Sequence, residues 1–256
     1  MRDPSRYTAR IATTDKDVDA TQRLRHRCFY DARGLFCGGR DLDRFDATCA
    51  HLMVEEQSTK RSVATCRLMP LGSGAQIAES YSAQFYDLSA LSAYDQPIVE
   101  MGRFCVCPDT ADPDVIRMAW AAVTSFVDDY KAGLLIGCSS FEGTDPVRYR
   151  DAFAQLARRH LAPLAWAPGI KWAEVVRFAA RQIVPDPRKA MSGLPPLLKS
   201  YLAMGGWVSD HAVIDRDLST THVFTGLEVA TIPPARKRAL RALADQNPLD
   251  IPRAGR

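Results

Sequence analysis

Apolar residues occur along the chain in short runs that predict several β-strands. Residues 49–56 and 61–71 form two such runs, and the polar turn QSTK between them is typical of a hairpin. Residues 98–106, with the sequence IVEMGRFCV, form a third run of strand length. From Ile116 to Val127 the apolar side chains recur at helical spacing instead, which predicts a helix that ends before Gly133.

The remaining patterns complete a mixed order of strands and helices. Further strands are predicted at 7–14, 134–140, 170–179, 211–216 and 221–230, and further helices at 15–34, 85–94, 145–163 and 194–206. Some strands follow each other directly, whereas others are separated by a helix. This order predicts a mixed central sheet with helices packed against it, in the α/β (α+β) class.

Length and composition are typical of a globular chain: 256 residues, of which 46% are hydrophobic and 25% charged. The formal net charge of +3 gives little reason to expect a nucleic-acid partner. No apolar run approaches the roughly 20 residues of a membrane-spanning helix, and the first residues lack the apolar core of a secretory signal. Seven cysteines in no disulfide-like pattern fit a reducing environment, so we expect a cytoplasmic protein.

A proline-rich step, PPAR, separates two regions of different composition. We expect a domain of residues 1–232 and a basic, Pro/Arg-rich C-terminal tail of residues 233–256. Within this tail, residues 235–244 can form a basic helix with an apolar side, which is typical of a weak interfacial anchor. A solvated or disordered tail is the alternative.

Several classes of enzyme are excluded by their missing motifs. The chain has no phosphate-binding G-x-x-x-x-G-K-[ST], no dinucleotide-binding G-x-G-x-x-G, no nucleophile elbow G-x-S-x-G and no zinc-binding H-E-x-x-H. The five histidines show no ligand spacing, and Cys105 and Cys107 lack the companions of a zinc site. We therefore expect no metal site, and we interpret the histidines as packing or surface residues.

The strand predicted at 98–106 contains two charged residues, Glu100 and Arg103. Removing a charge from water is costly unless the charge is paired and hydrogen-bonded. The segment is therefore either an edge strand with two solvated charges or a strand that brings charge into a cleft. The two residues are an odd number apart and face opposite sides of a regular strand, but a β-bulge, for which Gly102 is suited, would bring them closer.

Four motifs in the first half of the chain resemble those of the acyl-homoserine-lactone synthases, which are GNAT-like acyltransferases. The motifs are RLRHRCFYDARGL (23–35), DLDRFDATCAHLMV (41–54), CRLMP (66–70) and VEMGRFCV (99–106). Three other segments resemble the ornithine–acyl-carrier-protein N-acyltransferases, the haemolysin-like lyso-ornithine lipid synthases. These segments are AESYSAQFYDLSAL (78–91), LIGCSSFEGTDP (135–146) and GLPPLLKSYLAMGGWVSDHAVIDRDLSTTHVF (193–224).

The second resemblance implies a GNAT-like acyl-CoA N-acyltransferase fold and transfer of a 3-hydroxyacyl chain to the α-amine of ornithine. It implies Glu100 as the catalytic general base, directly or through one water. An electrostatic and substrate-binding cluster is implied at Arg25, Phe29, Asp43, Asp46, Arg67, Arg103 and Phe104. Asp43 or Asp46 is a candidate for the cationic δ-amine of ornithine. The alternative is that the charged residues only pin the N-terminal helix to the sheet.

The resemblance also implies partners, and it implies no cofactor. The acyl donor arrives on the phosphopantetheine of acyl carrier protein, ornithine is the acceptor, and the lipid product leads us to expect peripheral contact with the inner membrane surface. Basic residues within 148–159 or 177–189 are expected to receive the acidic carrier protein. Two alternatives stay open: an acyl-homoserine-lactone synthase that uses S-adenosylmethionine, and a non-catalytic protein that binds acyl carriers or membranes.

Overall fold

The computed structural model of the chain describes residues 6–35, 39–110, 112–181 and 183–249. The strands are β1 (Tyr7–Ile11), β2 (Ala50–Glu56), β3 (Arg61–Leu71), β4 (Tyr86–Asp87), β5 (Ile98–Val106), β6 (Leu134–Glu142), β7 (Gly169–Ile170), β8 (Val175–Val176), β9 (Trp207–Asp215) and β10 (Thr220–Glu228). The α-helices are α1 (Asp15–Phe29), α2 (Pro113–Asp129), α3 (Arg150–Arg159), α4 (Pro187–Gly193), α5 (Pro196–Ala203) and α6 (Pro234–Gln246). Two compact units divide the chain: residues 1–70, 101–131 and 234–256 form the first, and residues 71–100 and 132–233 form the second.

The first unit contains β1, β2, β3 and the later part of β5, in that order. Strand β2 runs antiparallel to both β1 and β3. Helix α1 begins with a capping box, in which the Thr14 hydroxyl accepts a hydrogen bond from the Asp17 N–H and the Asp17 carboxylate accepts one from the Thr14 N–H. The helix buries Leu24 and Arg25, and Arg25 becomes the centre of the ionic cluster described below.

Helices α2 and α6 pack on each other within the first unit. The Arg241 guanidinium donates hydrogen bonds to both carboxylate oxygens of Asp128, at 2.8 and 2.7 Å, and Ala244 is buried. Leu240 and Leu243 on the same helix are half-buried, and the membrane contact expected of the tail stays a prediction. The boundary after residue 232 stays a prediction, and residues 250–256 lie outside the described part of the chain.

The sheet of the second unit has the strand order β5, β6, β10, β9 and β8. Only the first three residues of β5 belong to this unit. Residues 98–100 of β5 pair in parallel with residues 134–136 of β6, whereas β10 runs antiparallel to both β6 and β9. The predicted mixed sheet is thereby confirmed. Its core packs against α3 and α5, and the buried side chains include Phe141, Phe153, Leu156, Phe178, Leu198 and Val223.

Some predicted elements differ from the structure. The helix predicted at 15–34 ends at Phe29, because a 3₁₀ turn and then Gly34, in the left-handed region at φ 68°, follow it. The segment predicted as a strand at 170–179 keeps strand geometry only in the two residues of β8 and at the end of β7. Helix α4 is absent from the sequence prediction, although Asp186 caps it and Pro187 occupies its first position.

Candidate active site

Glu100 lies on β5 in the interior of the second unit, with 3% of the residue exposed. Its Oε2 accepts a hydrogen bond from the Tyr81 N–H at 2.6 Å, and its Oε1 accepts one from the Ser82 N–H at 2.8 Å. The Ser82 hydroxyl donates a third hydrogen bond to Oε1 at 2.6 Å. These donors compensate the carboxylate for the loss of water. Glu100 is therefore not a solvated charge on an edge strand.

The two main-chain donors belong to a tight turn before Glu100 in sequence. The Ser80 hydroxyl donates to the Ile77 carbonyl at 2.7 Å and accepts a hydrogen bond from the Ala83 N–H at 3.2 Å. These contacts on either side of Tyr81 and Ser82 hold the turn in place. Successive main-chain N–H groups aimed at one anion form an anion-binding concavity, and here the anion is the side chain of Glu100.

Polar side chains continue from this carboxylate across the second unit. The Ser82 Oγ lies 3.3 Å from the Cys138 Sγ on β6. On the neighbouring strand β10, the carbonyl of His222 accepts a hydrogen bond from the Tyr86 hydroxyl at 2.8 Å, and the His222 Nδ1 lies 3.1 Å from the same hydroxyl. The strand register and the two-residue repeat of side chains place Glu100, Cys138 and His222 on one face of the sheet.

Tyr86 and His222 are candidate functional residues that the sequence prediction missed. Tyr86 is completely buried, and burial raises the pKa of its hydroxyl well above the usual value, so the phenol remains a hydrogen-bond donor. Both residues lie inside segments that carry the family resemblance, FYDLSAL and STTHVF. The motifs thus contained both residues, but only the tertiary structure shows that Tyr86 contacts His222 on β10.

A second group of charged residues, the ionic cluster, lies in the first unit and centres on Arg25. Arg25 is completely buried; its Nε donates to Asp41 Oδ2 at 2.7 Å, and its Nη2 donates to the Asp41 carbonyl at 2.7 Å and to Asp46 Oδ1 at 2.5 Å. Its Nη1 lies 3.2 Å from the His51 Nδ1. All three nitrogens of the guanidinium thus have partners, as a buried cation requires.

Arg67, on β3, joins the ionic cluster through the same loop. It donates to Asp43 Oδ1 and, at 3.3 Å, to Asp46 Oδ2. The Asp46 Oδ2 also accepts the Asp43 N–H at 2.9 Å, and the Asp43 Oδ1 accepts the Phe45 N–H at 2.9 Å. The two carboxylates therefore cap the 3₁₀ turn Arg44–Ala47 and bind an arginine at the same time.

Arg103 completes the ionic cluster from β5. It donates to Asp41 at 3.1 Å and to Asp43 at 3.4 Å, and its guanidinium lies 5.9 Å from the centroid of the Phe29 ring. Arg103 has a φ of 53°, in the left-handed region, so the irregularity in β5 occurs at Arg103 itself. The positive φ belongs to Arg103 and not to Gly102, and the β-bulge at Gly102 stays a prediction.

The structure brings together most of the predicted cluster: Arg25, Phe29, Asp43, Asp46, Arg67 and Arg103. Phe104 is half-buried on β5 and makes none of these polar contacts, and Glu100 belongs to the second unit. Asp41 and His51 are members that the sequence prediction missed. Asp41 stands in the same DLDRFD motif as Asp43, but sequence spacing does not show which of its aspartates turn inward.

The ionic cluster contains three arginines and three aspartates, so its charges balance. Burial would raise the pKa values of Asp43 and Asp46, but hydrogen bonds and the nearby arginine charges hold both pKa values below their usual range. Both carboxylates are therefore ionised at neutral pH. A further cation would have to compete with the arginines for them.

His51 is the titratable base of the ionic cluster. Its Nε2 lies 2.9 Å from the Asp46 carbonyl and its Nδ1 faces Arg25 and Thr21, which assigns the proton of the neutral ring to Nε2. Burial lowers the pKa of His51; the Asp46 carbonyl opposes this shift, and the charge on Arg25 adds to it. The folded protein therefore holds His51 in the neutral form.

We expect the free energy of unfolding to fall as the pH drops below about 6.5, the usual pKa of histidine. The unfolded chain takes up a proton at His51 before the folded chain does, so stability present above this pH is lost as the pH falls. The lowered pKa values of Asp43 and Asp46 add a further loss below about pH 4, the usual pKa of aspartate. Urea denaturation across this range measures the effect.

The His51→Gln variant is the control for this pH dependence. Its amide can still donate to the Asp46 carbonyl, but it does not titrate. We expect this variant to be less stable than the wild type at neutral pH and to lose less stability between about pH 7 and about pH 5. Equal slopes for the two proteins would show that His51 does not cause the loss.

The described residues contain neither a metal-binding cluster nor a membrane-spanning helix. No group of three or more His, Cys, Asp or Glu side chains there is arranged to hold a metal ion. No helix in the same ranges combines the length and the apolar character needed to cross a bilayer.

Comparison with known proteins identifies the fold family. Residues 24–121 match the family described as the acetyltransferase (GNAT) domain. The solved structure of BjaI, a CoA-dependent acyl-homoserine lactone synthase with SAM and isopentyl-CoA, is similar with a TM-score of 0.50 and 16% identity, covering 96% of this chain and 95% of that one. An identity this low shows a shared fold alone. The predicted GNAT-like fold is confirmed.

Two curated relatives are similar over most of their length. The L-ornithine N(alpha)-acyltransferase of Rhodobacter capsulatus is 32% identical over 234 residues, which cover 86% of this chain and 89% of the relative. The L-ornithine N(alpha)-acyltransferase of Agrobacterium fabrum is 28% identical over 240 residues, which cover 87% of this chain and 81% of the relative. This chain therefore belongs to the L-ornithine N(alpha)-acyltransferase family.

Proposed function

We propose that the chain, an acyltransferase, moves a 3-hydroxyacyl group from acyl carrier protein to the α-amine of ornithine. The product would be lyso-ornithine lipid, formed in the first step of ornithine lipid biosynthesis. The observation that carries the proposal is the 32% identity, over 86% of the chain, to an enzyme named for this acylation of ornithine. The carrier protein and the 3-hydroxyacyl chain are supported by the sequence resemblance to the lyso-ornithine lipid synthases.

The proposed reaction needs a neutral amine and no metal or redox group. The amine nitrogen attacks the thioester carbonyl, a C–N bond forms, the C–S bond breaks, and the pantetheine thiol leaves with a proton. An α-amine has a pKa near 8, against about 10.4 for a lysine-like amine. Deprotonating the α-nitrogen therefore costs ~3 kcal/mol less than deprotonating the δ-nitrogen at neutral pH, which favours α-acylation.

Glu100 is the proposed general base of this reaction, directly or through one water. The Ser82 hydroxyl offers a second route, because a proton accepted by its Oγ can pass to the Glu100 Oε1 at 2.6 Å as its own proton moves. A positioned base typically contributes about 10²–10⁴-fold to the rate. Holding the amine beside the thioester contributes on the order of 7–11 kcal/mol in addition.

The proposed role of the ionic cluster is to fix the loop 41–46 rather than to bind the δ-amine. Asp43 and Asp46 each accept a hydrogen bond from Arg67, and both also cap the turn at 44–47. An ornithine ammonium group would have to displace one of these contacts. Phe29 and Phe104 stay predictions as residues that contact substrate.

The proposed partners are acyl carrier protein, which presents the donor on its phosphopantetheine, and ornithine. A single-chain lipid product partitions into bilayers, so we also propose a cytoplasmic enzyme with peripheral contact at the inner membrane surface. No nucleic-acid partner is proposed, because the formal net charge is only +3.

The purified protein, incubated with 3-hydroxyacyl carrier protein, is expected to acylate ornithine. Ornithine, other amino acids and S-adenosylmethionine are supplied in parallel, and mass spectrometry identifies the products. We expect lyso-ornithine lipid from the ornithine reaction. A lactone from S-adenosylmethionine would indicate an acyl-homoserine-lactone synthase instead, and the absence of product with every acceptor would indicate a non-catalytic protein. The same acyl chain on coenzyme A tests whether the carrier protein is required.

A further inference from the structure

Exposed apolar side chains are concentrated in one segment of the second unit. Seven of the eight large hydrophobic residues that are exposed in the described chain lie between residues 147 and 191. The exposed fraction is 81% for Val184, 72% for Val147 and 52% for Met191. Single exposed apolar residues are ordinary, whereas a contiguous patch of them marks an interaction surface, so the position of these residues in the fold matters.

The same segment carries an excess of positive charge. Residues 145–199 contain ten lysines and arginines against four aspartates and glutamates, although the formal net charge of the whole chain is only +3. The remainder of the chain therefore has a negative formal charge. This segment and the basic C-terminal tail therefore carry the excess of positive charge in the chain.

Within this segment Arg148 pairs with Glu142 at 3.7 Å, but Arg150 and Arg181 lack the ion pairs found on other parts of the described surface. Arg10, Arg216 and Arg241 each pair with a carboxylate at 2.6–2.7 Å. By contrast, no described carboxylate forms a salt bridge with Arg150 or Arg181. These two guanidinium groups are exposed and available to an anionic partner.

Three of the four acidic residues of the segment accept backbone N–H groups, and the fourth, Glu174, pairs with Arg216. Asp145 accepts the Val147 N–H at 2.9 Å, and Asp151 accepts the Asp186 N–H at 2.8 Å. Asp186 in turn accepts the Arg188 and Lys189 N–H groups at the start of α4, at 2.8 and 3.2 Å. These three carboxylates bind main-chain groups, and none of them forms a salt bridge with Arg150 or Arg181.

A groove beside helix α3 brings apolar and basic residues of two chain segments together. Val147, Arg150, Arg181 and Ile183 line a shallow groove of about 60 Å³. The Asp151–Asp186 hydrogen bond holds the start of α4 beside α3. The α3–α4 surface is defined by Val147, Arg150, Arg181, Val184, Arg188 and Met191.

We infer that the α3–α4 surface binds the face of an anionic phospholipid bilayer. Aliphatic side chains enter the boundary between headgroups and acyl chains, and arginines pair with lipid phosphates. A protein partner would anchor a large side chain in a pocket. The groove, at about 60 Å³, is far smaller than the roughly 150 Å³ cavity that holds a benzene-sized group. The inference rests on the proposed function only in that its lipid product must reach a membrane.

Vesicle co-sedimentation of the full chain tests this inference. The vesicles are phosphatidylcholine alone or mixed in equal parts with phosphatidylglycerol, without ornithine or acyl donor. We expect binding to the mixed vesicles that weakens with added salt. The double variant Arg150→Gln/Arg181→Gln should bind about 30-fold more weakly, from about 1 kcal/mol per arginine. Val147→Ser/Val184→Ser should lose about tenfold.

The matched control is Arg236→Gln/Arg238→Gln, which removes the same charge from exposed positions on α6. We expect this control to bind vesicles as the wild type does, and far-UV circular dichroism confirms that all variants are folded. An equal loss in the control would assign binding to net charge and overturn the inference. Unchanged vesicle binding by the surface variants, together with weaker binding of these variants to acyl carrier protein, would also overturn the inference. No substrate is present in the vesicle experiment, so a lack of vesicle binding does not affect the result of the acyl-transfer assay.

Discussion

Replacement of Glu100 by glutamine is expected to lower turnover with ornithine and 3-hydroxyacyl carrier protein by about 10²-fold or more. Glutamine removes the charge that accepts the proton of the amine. It also places an NH₂ group either where Oε2 now accepts the Tyr81 N–H or where Oε1 accepts the Ser82 N–H and hydroxyl. Steady-state rates of product formation measure the effect.

Two variants separate catalysis from folding in this experiment. Glu79→Gln changes an exposed carboxylate of the same unit and should keep wild-type rates. Ser82→Ala removes the hydroxyl donor and keeps both main-chain donors, so we expect it to remain folded and to show whether the hydroxyl route is used. A base also gives the rate a pH dependence, which Glu100→Gln should flatten. Wild-type turnover in a folded Glu100→Gln protein would remove Glu100 from the catalytic role.

Replacement of Arg25 by methionine is expected to lower the free energy of unfolding by about 3–5 kcal/mol, the typical cost of breaking a buried ion pair. The side chain is completely buried, and its removal leaves the three aspartates of the ionic cluster with only two arginines. Asp41 and Asp46 lose their contacts at 2.7 and 2.5 Å and keep only the longer ones to Arg103 and Arg67, at 3.1 and 3.3 Å. Methionine has a similar length, so the loss comes mainly from the uncompensated negative charge rather than from an empty space. Urea denaturation at neutral pH measures the change.

Arg23→Met is the matched control, two residues earlier on the same helix. Arg23 pairs with Asp19 at 2.7 Å, but its side chain is 59% exposed, and exposed pairs contribute about 0–1 kcal/mol. If Arg25→Met does not fold, Asp46→Asn provides a milder break of the same contact at 2.5 Å. Similar small losses for Arg25→Met and Arg23→Met would contradict the structural role of the ionic cluster.

The strands were predictable because hydrophobic periodicity depends on local sequence. The limits predicted for β5 match the structure, since an apolar run bounded by polar residues suffices to place it. The left-handed conformation of Arg103 was not predictable in this way. Glycine adopts a positive φ at less cost than other residues, so the sequence favoured Gly102 for the irregularity. The structure has the positive φ at Arg103, whose side chain contacts Asp41 and Asp43.

The candidate site was predictable only where charge contrasts with an apolar neighbourhood. Glu100 and Arg103 could be found because they interrupt an apolar strand. Arg25 and Arg67 could be found because they lie in motifs of a known family. Ser82, Tyr86 and His222 carry no such contrast. Their contacts depend on the turn at 80–83 and on the register between β6 and β10, both of which are tertiary features.

The position of the acyl group on ornithine tests the central claim most directly. Fragmentation of the product by tandem mass spectrometry distinguishes an amide at the α-nitrogen from one at the δ-nitrogen. We predict the 3-hydroxyacyl chain on the α-nitrogen, with the δ-amine free. A chain on the δ-nitrogen, or no acylated ornithine from an active and folded preparation, would contradict the proposed function.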